Sequence, residues 1–543
     1  MSNKSEVDMK DVELNEVEQE KQPMTEGEAG NNYAISPVSE KNGIVKVKIP
    51  DEESKFTGLS KEELMKVAGT PGYGTHLWLN LIFFQILQFV DANDLITGIF
   101  FSFFLNRWVK VRWALLILFW LGWLGMLAGA IAIIIQAPRC KPLPEMNWWN
   151  YGPLYQIGDV NSFTKSSDLK GVAEKVQAMD ELKVKGLIIG PIHVSSEDEP
   201  EELKLTEISK EAGNLIQFRE LIKAAHKRGI SVVLDLTPNY KGKEPWFADA
   251  VSTVVKLEPA LMHWLEEGVD GFLFYGVEKV STAAQSLWED VEVLIHNQTE
   301  SVEKKKRVLI GVTEQSSPDD VIAVLNKTGV DLLLTGALRS TSALDIAHTV
   351  DRLYSTYGQT RLAWNIGGRI AGHLASLVGF AKVKLSYLLL LTLPGTPVFN
   401  YGDEIGLQDN ETKNPTMEWE DSQENLTVSK KDEMTTFCKF FKTVSEKRSK
   451  ERSLQHGEYL PLFNSTSAMA YVRSWDQNER YLIALNWHLE ETVTLHLKHA
   501  EIPDHATVVF STSDDKRVDE VINLAQLEVK PEQGIMLKFP YTP

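Results

Sequence analysis

Acidic side chains follow several of the short apolar runs in this sequence. Asp235 ends the run SVVLD, and Glu314 stands two residues beyond the run VLIGV. Asp403 and Glu404 follow a later run, TPVFNYG. Two carboxylates roughly 5 to 5.5 Å apart can serve as nucleophile and acid/base in retaining glycoside hydrolysis. The same residues also fit structural roles, with Asp235 capping a turn and Glu314 as a solvated loop charge, and the sequence favours this structural interpretation.

The two cysteines of the chain lie in different surroundings. Cys140 lies in APRCKPLPEMNWW, where three prolines favour an extended and exposed segment. Cys438 follows apolar residues at the spacing of one helix face, which predicts a buried and unreactive thiol. An exposed cysteine without a partner in its own chain favours a disulfide bond to another chain, while a free or lipidated thiol is the alternative.

Composition excludes several other kinds of site. The twelve histidines contain no HExxH-like pair, and two cysteines leave little room for a thiolate site, so neither a metal nor another cofactor is predicted. A formal net charge of −19 argues against a nucleic-acid partner, which requires a basic surface. A disulfide-built fold is also excluded.

The secondary structure that carries these residues begins near Trp148. From there, short apolar runs alternate with helical stretches such as Leu215 to Arg228 and Ile370 to Leu391. Eight runs are typical of strands: PLYQIGDV, GLIIGPIHV, ISVVLDLTPN, VDGFLFYG, RVLIGVTE, DLLLTG, RLAWNI and GTPVFNYG. This alternation predicts an α/β fold with a closed (β/α)8 barrel of the TIM type over residues 148–452, in which strand ends meet on one face. A helix near Lys431 to Arg452 ends the barrel, and alternating segments such as AMAYVRSW then predict an antiparallel β-domain over 453–543.

An apolar segment precedes the barrel. Trp113 to Ile135 contains no charged residue and, at ~1.5 Å per helical residue, reaches roughly 34 Å, enough to cross a hydrocarbon layer of about 30 Å. We assign residues 113–137 to a transmembrane signal anchor and 138–147 to an extracellular stalk. Gly122, Gly125 and Gly129 form a small-residue stripe that suits packing against another membrane helix, although such a stripe also arises by chance.

The orientation of the anchor follows from what comes after it. Five Asn-x-Ser/Thr triplets lie on its C-terminal side, as expected of a glycosylated extracellular region. The predicted N-glycosylation sites are Asn297, Asn326, Asn410, Asn425 and Asn464. The anchor lies too far from the N-terminus to be a cleaved signal peptide. The sequence therefore predicts a single-pass type II protein with its N-terminus in the cytoplasm.

Two segments precede the anchor. Residues 1–72 are acidic and poor in aromatic residues, which predicts a disordered cytoplasmic tail. Residues 73–112 hold an atypical hydrophobic insertion followed by a basic juxtamembrane segment. Two apolar stretches within 77–105 are separated by Asp91, Asn93 and Asp94, and each is short for a full crossing. We therefore expect a hairpin or an interfacial element with both ends in the cytosol.

Several motifs resemble known families. The tracts GLIIGPI, DLTPN, GVDGF and LPGTPVFNYGDEIGL resemble the α-amylase family and cover most of residues 148–453. The apolar anchor, the stalk Cys140 and the tract SWDQNER narrow the resemblance to the heavy chains of heteromeric amino-acid transporters. This resemblance spans the chain except residues 74–107, where the insertion departs from a single-span plan.

The resemblance implies degenerate catalytic positions. The amylase nucleophile follows the pattern GFRxD, and the matching stretch GFLFY places Tyr275 there. The acid/base position falls at about Val312, and Ile366 replaces the third carboxylate, which belongs to an Asn-His-Asp triplet. A phenol and two alkyl groups can neither attack an anomeric carbon nor protonate a leaving oxygen. The resemblance therefore implies that the barrel has no catalytic residues and is not an enzyme.

The resemblance also implies a function. A multi-span amino-acid transporter light chain would be disulfide-linked through Cys140, and the heavy chain would stabilise it and bring it to the plasma membrane. Integrin-type adhesion receptors are further partners implied by the resemblance. An uninterrupted apolar helix has no polar midplane residues with which to carry an amino acid itself. The alternatives are a membrane-anchored glycosidase of the α-amylase family and an adhesion or receptor glycoprotein.

Overall fold

The computed structural model describes residues 95–136, 141–166, 168–297, 305–420, 427–513 and 517–542. The chain divides into two compact units, Met1–Ala137 and Pro138–Pro543. The predicted tail, the first arm of the predicted hairpin, Cys140 and Asn425 lie outside the described residues.

A single helix, α1, occupies the described part of the first unit. It runs over Leu95–Gln136, and its segment Trp108–Ile135 is long and apolar enough to cross a membrane, with all its described side chains exposed. The helix begins well before Trp113, where the anchor was predicted to start. The sequence contains neither proline nor glycine between Ile99 and Trp113, so nothing interrupts the helix there. The second arm of the predicted hairpin, from Leu95 onward, is therefore continuous with the anchor.

Eight parallel strands form the barrel of the second unit, and the eight apolar runs of the sequence supply them. In chain order these are β1 (Leu154–Ile157), β2 (Gly186–Ile189), β5 (Ser231–Asp235), β6 (Gly271–Tyr275), β7 (Val308–Val312), β8 (Leu332–Leu334), β9 (Ala363–Trp364) and β10 (Thr396–Asn400). Their order in the sheet is β8-β7-β6-β5-β2-β1-β10-β9, and a parallel bridge between Leu333 and Leu362 brings the two edges together. After β2 an antiparallel hairpin of β3 (His193–Ser196) and β4 (Glu199–Ile208) is inserted.

The barrel has an apolar core inside the strands and a second one between the strands and the surrounding helices. Inward-facing residues of the strands include Leu154, Ile188, Val233, Leu273, Ile310, Leu332 and Val398. The helices are α2 (Val160–Phe163), α3 (Leu169–Glu181), α4 (Leu215–Lys227), α5 (Ala250–Glu266), α6 (Val277–Ala283), α7 (Gln285–Asn297), α8 (Pro318–Thr328), α9 (Ala343–Tyr357), α10 (Leu374–Val378), α11 (Val383–Thr392), α12 (Val428–Lys450) and α13 (Arg452–Gln455).

The helix predicted from Ile370 to Leu391 is wrong over its first half. Residues 366–372 form a loop, and a short α10 is separated from α11 by a 3-10 turn. Gly372 and Gly379 have φ values of +102° and +82°, which a right-handed helix excludes. The two glycines therefore divide the expected helix and release the loop that precedes it.

An antiparallel β-domain follows the barrel. Its sheet has the order β11-β12-β13-β18-β15-β16, with a separate pair β14-β17 packed over one face. The strands are β11 (Glu458–Asn464), β12 (Ala468–Ser474), β13 (Arg480–Asn486), β14 (Val493–Leu495), β15 (His505–Ser511), β16 (Val521–Asn523), β17 (Leu527–Val529) and β18 (Gly534–Phe539). At one edge, the register of β11 shifts between Pro461 and Phe463. Together with the barrel and the apolar helix, this domain confirms the predicted fold class.

Candidate functional site

A cavity of about 220 Å³ opens at the carboxyl end of the barrel strands. In parallel barrels this end carries the functional side chains, because the loops that follow the strands converge there. Tyr275, the last residue of β6, and Val312, the last residue of β7, both line the cavity. Ile366 is buried and lines a different cavity beside the C-terminal β-domain. The structure therefore brings together two of the three predicted degenerate positions.

Tyr275 is held by neighbouring polar groups on three sides. Its backbone N–H donates to the Thr237 hydroxyl at 3.1 Å, and its carbonyl accepts from the Trp246 indole at 2.8 Å. Its phenol oxygen accepts a hydrogen bond from the Gln156 amide at 3.2 Å. Burial raises the pKa of the phenol, so Tyr275 stays neutral.

Asp235, the last residue of β5, lies beside Tyr275 and is fully buried. Its Oδ1 accepts hydrogen bonds from the backbone N–H and the hydroxyl of Thr237, at 2.9 and 2.5 Å. This arrangement confirms that Asp235 caps a turn. Its Oδ2 accepts from the Nε of Arg369 at 3.2 Å, a contact that the sequence did not indicate. Burial raises the pKa of the carboxyl, and the nearby guanidinium opposes that shift.

Arg369 enters this site from the loop that follows β9. Its side chain is 10% exposed, and its guanidinium lies 4.4 Å from the centroid of the Tyr275 ring. Its backbone N–H donates to the Gln156 Oε1 at 3.2 Å. Gly158 leaves the space for the side chain, because a Cβ at that position would lie 2.7 Å from the Arg369 Cγ. Arg369 thus fills the place directly above Tyr275.

The other acidic residues at strand ends do not join Asp235. Glu314 is exposed at the rim of the cavity, which agrees with the prediction of a solvated loop charge. Asp403 is buried and accepts from the backbone N–H groups of Leu374 and Asn400, at 2.9 and 2.8 Å. Glu404 accepts from the Tyr155 hydroxyl at 2.9 Å.

Asp403 and Glu404 have perturbed acidities of structural origin. Burial raises the pKa of Asp403 to about 8 and that of Glu404 to about 7. Strongly shifted carboxyls are candidates for catalysis when they face a cleft. Here the bonds of Asp403 hold the loop after β10, and Glu404 lines a cavity beside α12 that Tyr275 does not reach. Their role in the described structure is therefore to fix that loop.

The remaining predicted site residues are spread over the chain. Asn326, Asn410 and Asn464 are exposed, and Asn297 is the last residue of α7. Cys438 is half-buried on α12, where burial raises the pKa of its thiol to about 11. On α1, a Cβ added at Gly122, Gly125 or Gly129 would meet no other part of the chain that the structure describes within 4 Å. Within the described ranges, no group of three or more His, Cys, Asp or Glu side chains could hold a metal ion.

Sequence reasoning missed Arg369, Gln156 and Gly158. A signal for Arg369 existed in principle, since a fully buried carboxylate such as Asp235 requires a compensating charge. The sequence could not say which of its many Lys and Arg residues supplies that charge, because Arg369 lies 134 positions away from Asp235.

Comparison with known families and solved structures agrees with this geometry. A model of the Solute carrier family 3 member 2 N-terminus matches residues 45–97 and 106–155, and a model of the α-amylase catalytic domain matches residues 156–259. Residues 74–97, which we expected to depart from the family plan, thus fall within the match, and the gap in it is limited to 98–105. The isomaltulose synthase of Klebsiella sp. LX3 is similar in structure, with a TM-score of 0.56 and 16% identity over 73% of this chain and 100% of the synthase, which supports the fold alone.

Two full-length relatives carry the family assignment. The chain is 40% identical to the amino acid transporter heavy chain SLC3A2 of Oryctolagus cuniculus, with 100% of both chains covered. It is 38% identical to the protein of the same name from Mus musculus, again with 100% of both covered. At this identity and coverage, the chain belongs to the SLC3A2 family of amino acid transporter heavy chains.

Proposed function

We propose that this chain is a non-catalytic heavy-chain subunit, disulfide-linked through Cys140 to a multi-span amino-acid transporter light chain. The light chain forms the transport path, and the heavy chain stabilises it and brings it to the plasma membrane. The names of the rabbit and mouse relatives support the transporter role. A covalent link would also raise the effective concentration of the weaker contacts between the two chains.

The arrangement around Asp235 carries the non-catalytic part of this proposal. A retaining glycosidase needs two carboxyl groups that face its substrate. At this barrel end the buried Asp235 carboxylate is engaged by Thr237 and Arg369, and its neighbour across the site is the phenol of Tyr275. Val312, at the end of the next strand, has no proton to donate. The site thus lacks both a nucleophile with access to substrate and a general acid at that strand end.

The membrane orientation is part of the same proposal. The N-terminus lies in the cytoplasm and the unit from Pro138 onward lies outside the cell, with the apolar segment of α1 as a type II anchor. The exposure of Asn326, Asn410 and Asn464 supports glycan attachment in the extracellular unit. The open space beside Gly122, Gly125 and Gly129 supports contact with a helix of the light chain.

Non-reducing electrophoresis of the membrane-extracted protein tests the covalent link. The wild-type chain is expected to migrate as a larger complex that reductant separates, and Cys140→Ser is expected to remove that band. Cys438→Ser is the matched control, because its half-buried thiol has a pKa raised to about 11 and stays protonated. A larger band that survives Cys140→Ser, or disappears with Cys438→Ser, would contradict the assigned link.

The amylase-like fold favours a membrane-anchored glycosidase as the second candidate function. That function requires hydrolysis of maltose-like substrates by the purified wild-type chain. An adhesion or receptor role, with integrin-type partners, instead requires a complex that forms without a light chain. Mass spectrometry of the proteins that stay disulfide-linked to the chain after extraction distinguishes this role from that of a heavy chain.

A further inference from the structure

The contacts at the carboxyl end of the barrel suit one kind of ligand. The guanidinium of Arg369 contacts the Asp235 carboxylate and the face of the Tyr275 ring, while the Gln156 Oε1 accepts a hydrogen bond from the Arg369 backbone N–H. We infer that this barrel end is a guanidinium-binding site, which the chain occupies with its own Arg369. When that side chain is removed, the site binds a small guanidinium cation in its place.

The chemistry of the surrounding groups selects this class of ligand. The Nε of Arg369 donates to Asp235 at 3.2 Å, a charge-assisted hydrogen bond. The planar cation lies over the Tyr275 ring at 4.4 Å, within the ~6 Å range of a cation–π contact. A guanidinium is planar and less strongly hydrated than an ammonium ion, so it suits a site that combines an aromatic face with a buried carboxylate.

The backbone of the loop that carries Arg369 positions this side chain in the site. Gly368 and Gly372 exchange two backbone hydrogen bonds, at 3.0 and 2.9 Å, which close a narrow turn around residues 369–371. Gly368 has φ of +155° and Gly372 has φ of +102°, so both ends of the turn use backbone conformations that favour glycine. Gly158 leaves room for the aliphatic part of Arg369 on the opposite side.

The site also has an unmet hydrogen-bonding requirement. Among the described residues, the Nη2 of Arg369 is buried and has no hydrogen-bond partner. The Arg369 side chain therefore pairs with the Asp235 carboxylate, but not all N–H donors of its guanidinium have an acceptor. Removing it would leave the buried Asp235 carboxylate without its compensating cation, which is strongly unfavourable. That deficit is the driving force for uptake of a cation from solution.

Chemical rescue of the full-length chain in detergent tests this inference. Arg369→Ala is expected to lower the melting temperature, and millimolar methylguanidinium chloride is expected to raise it again. The rise should grow with the logarithm of the concentration above the dissociation constant, as for any ligand of the folded state. Wild-type protein, whose site is filled, should show no such rise. Methylammonium and sodium chloride at equal ionic strength should rescue less.

Two further variants test whether the rescue depends on Asp235 and on the position of the arginine that is removed. Arg369→Ala combined with Asp235→Asn should lose the rescue, because the carboxylate that holds the cation is gone. Arg352→Ala is the matched control, since Arg352 forms an ion pair with Asp319 in which the two side chains are 54% and 80% exposed. It should neither lower the melting temperature appreciably nor respond to methylguanidinium.

Several results would overturn the inference. These are an equal response of wild type and Arg369→Ala to methylguanidinium, an equal effect of sodium chloride, or a rescue that survives Asp235→Asn. If Arg369→Ala alone is not recovered as folded protein, the double variant decides. It should fold better, because it no longer buries an uncompensated carboxylate, and its failure to fold would count against the inference.

Discussion

The phenol of Tyr275 stands where the α-amylase pattern predicts a nucleophilic carboxylate, and two neighbouring side chains contact it. Gln156 donates to its oxygen, and the guanidinium of Arg369 lies over its ring. A neutral ring tolerates burial at this position better than an isolated carboxylate would. These two contacts therefore hold the ring in place.

Replacing Tyr275 with Asp tests this interpretation of the residue. We expect Tyr275→Asp to give no hydrolysis of maltose or of a nitrophenyl α-glucoside above the wild-type blank. The new carboxylate would lie near the Asp235–Arg369 pair, and the neighbouring strand end would still present Val312 instead of an acid. Tyr275→Phe serves as the control for loss of the hydroxyl. Turnover that appears in Tyr275→Asp and disappears when Glu314→Gln is added would contradict us, since it would identify Glu314 as a working acid.

The predictability of individual residues followed from the range of their interactions. The turn capped by Asp235 was predictable, because its partner Thr237 is two positions away. The ion pair with Arg369 was not, because it depends on how two loops meet across the barrel. Hydrogen bonds between residues close in sequence can be predicted from the sequence. Which distant Lys or Arg pairs with a buried carboxylate depends on the tertiary fold.

Helix α12 shows how one element of this molecule is fixed to the next. Arg448 is fully buried, and its Nη1 donates to the carbonyls of Leu391 and Leu393 at 2.8 and 3.1 Å. Its Nη2 donates to the carbonyl of Gly395 at 2.5 Å. The Leu391 carbonyl belongs to the last turn of α11, and those of Leu393 and Gly395 belong to the connection from α11 to the barrel strand β10. A single side chain thus holds α12 against the end of α11 and the connection to β10.

We expect Arg448→Met to destabilise the unit Pro138–Pro543 by about 3 kcal/mol, because three buried carbonyls lose their donor at roughly 1 kcal/mol or more each. The melting temperature of the full-length chain in detergent measures the loss. The control Arg352→Met, on an exposed helix surface, should stay within about 0.5 kcal/mol of wild type. If Arg448→Met were as stable as wild type, relief from burying the guanidinium would outweigh the lost hydrogen bonds.

Strands were predicted more successfully than loops at this scale. All eight barrel runs were visible as short apolar segments, since each strand is buried on both faces. The stretch from Ile370 was predicted as helix because its composition favours one. Gly372 and Gly379 overrode that preference with left-handed backbone conformations, and the loop that carries Arg369 was missed for this reason.

The whole molecule consists of two compact units, Met1–Ala137 and Pro138–Pro543. The described part of the first is the 42-residue helix α1, about 63 Å long at ~1.5 Å per residue. The apolar segment was predictable from its composition, but the position at which the helix begins was not. Apolar composition indicates where a chain can cross a membrane, whereas a helix can extend beyond that point through polar residues such as Asn106 and Arg107.

Bulky substitutions in α1 test whether the glycine stripe contacts a partner. In a Cys140→Ser background, Gly125→Leu with Gly129→Leu should reduce co-purification of the light chain several-fold, because the added side chains keep two helices apart. The melting temperature of the unit Pro138–Pro543 should stay unchanged, since a Cβ at either position meets no other part of the described chain within 4 Å. Leu127→Phe adds bulk to the opposite face of the helix and is the matched control. Unchanged co-purification of the double leucine variant would place the contact elsewhere.

The six-stranded sheet of the β-domain has consequences wherever many copies of the chain meet. One edge strand, β11, is interrupted by Pro461 and a register shift, and the other edge strand, β16, is three residues long. A straight, exposed edge strand can pair with a strand of another copy. The register shift at one edge strand and the short length of the other leave no regular edge with which a second copy could pair. Neighbouring copies can therefore come close together without forming an extended intermolecular sheet.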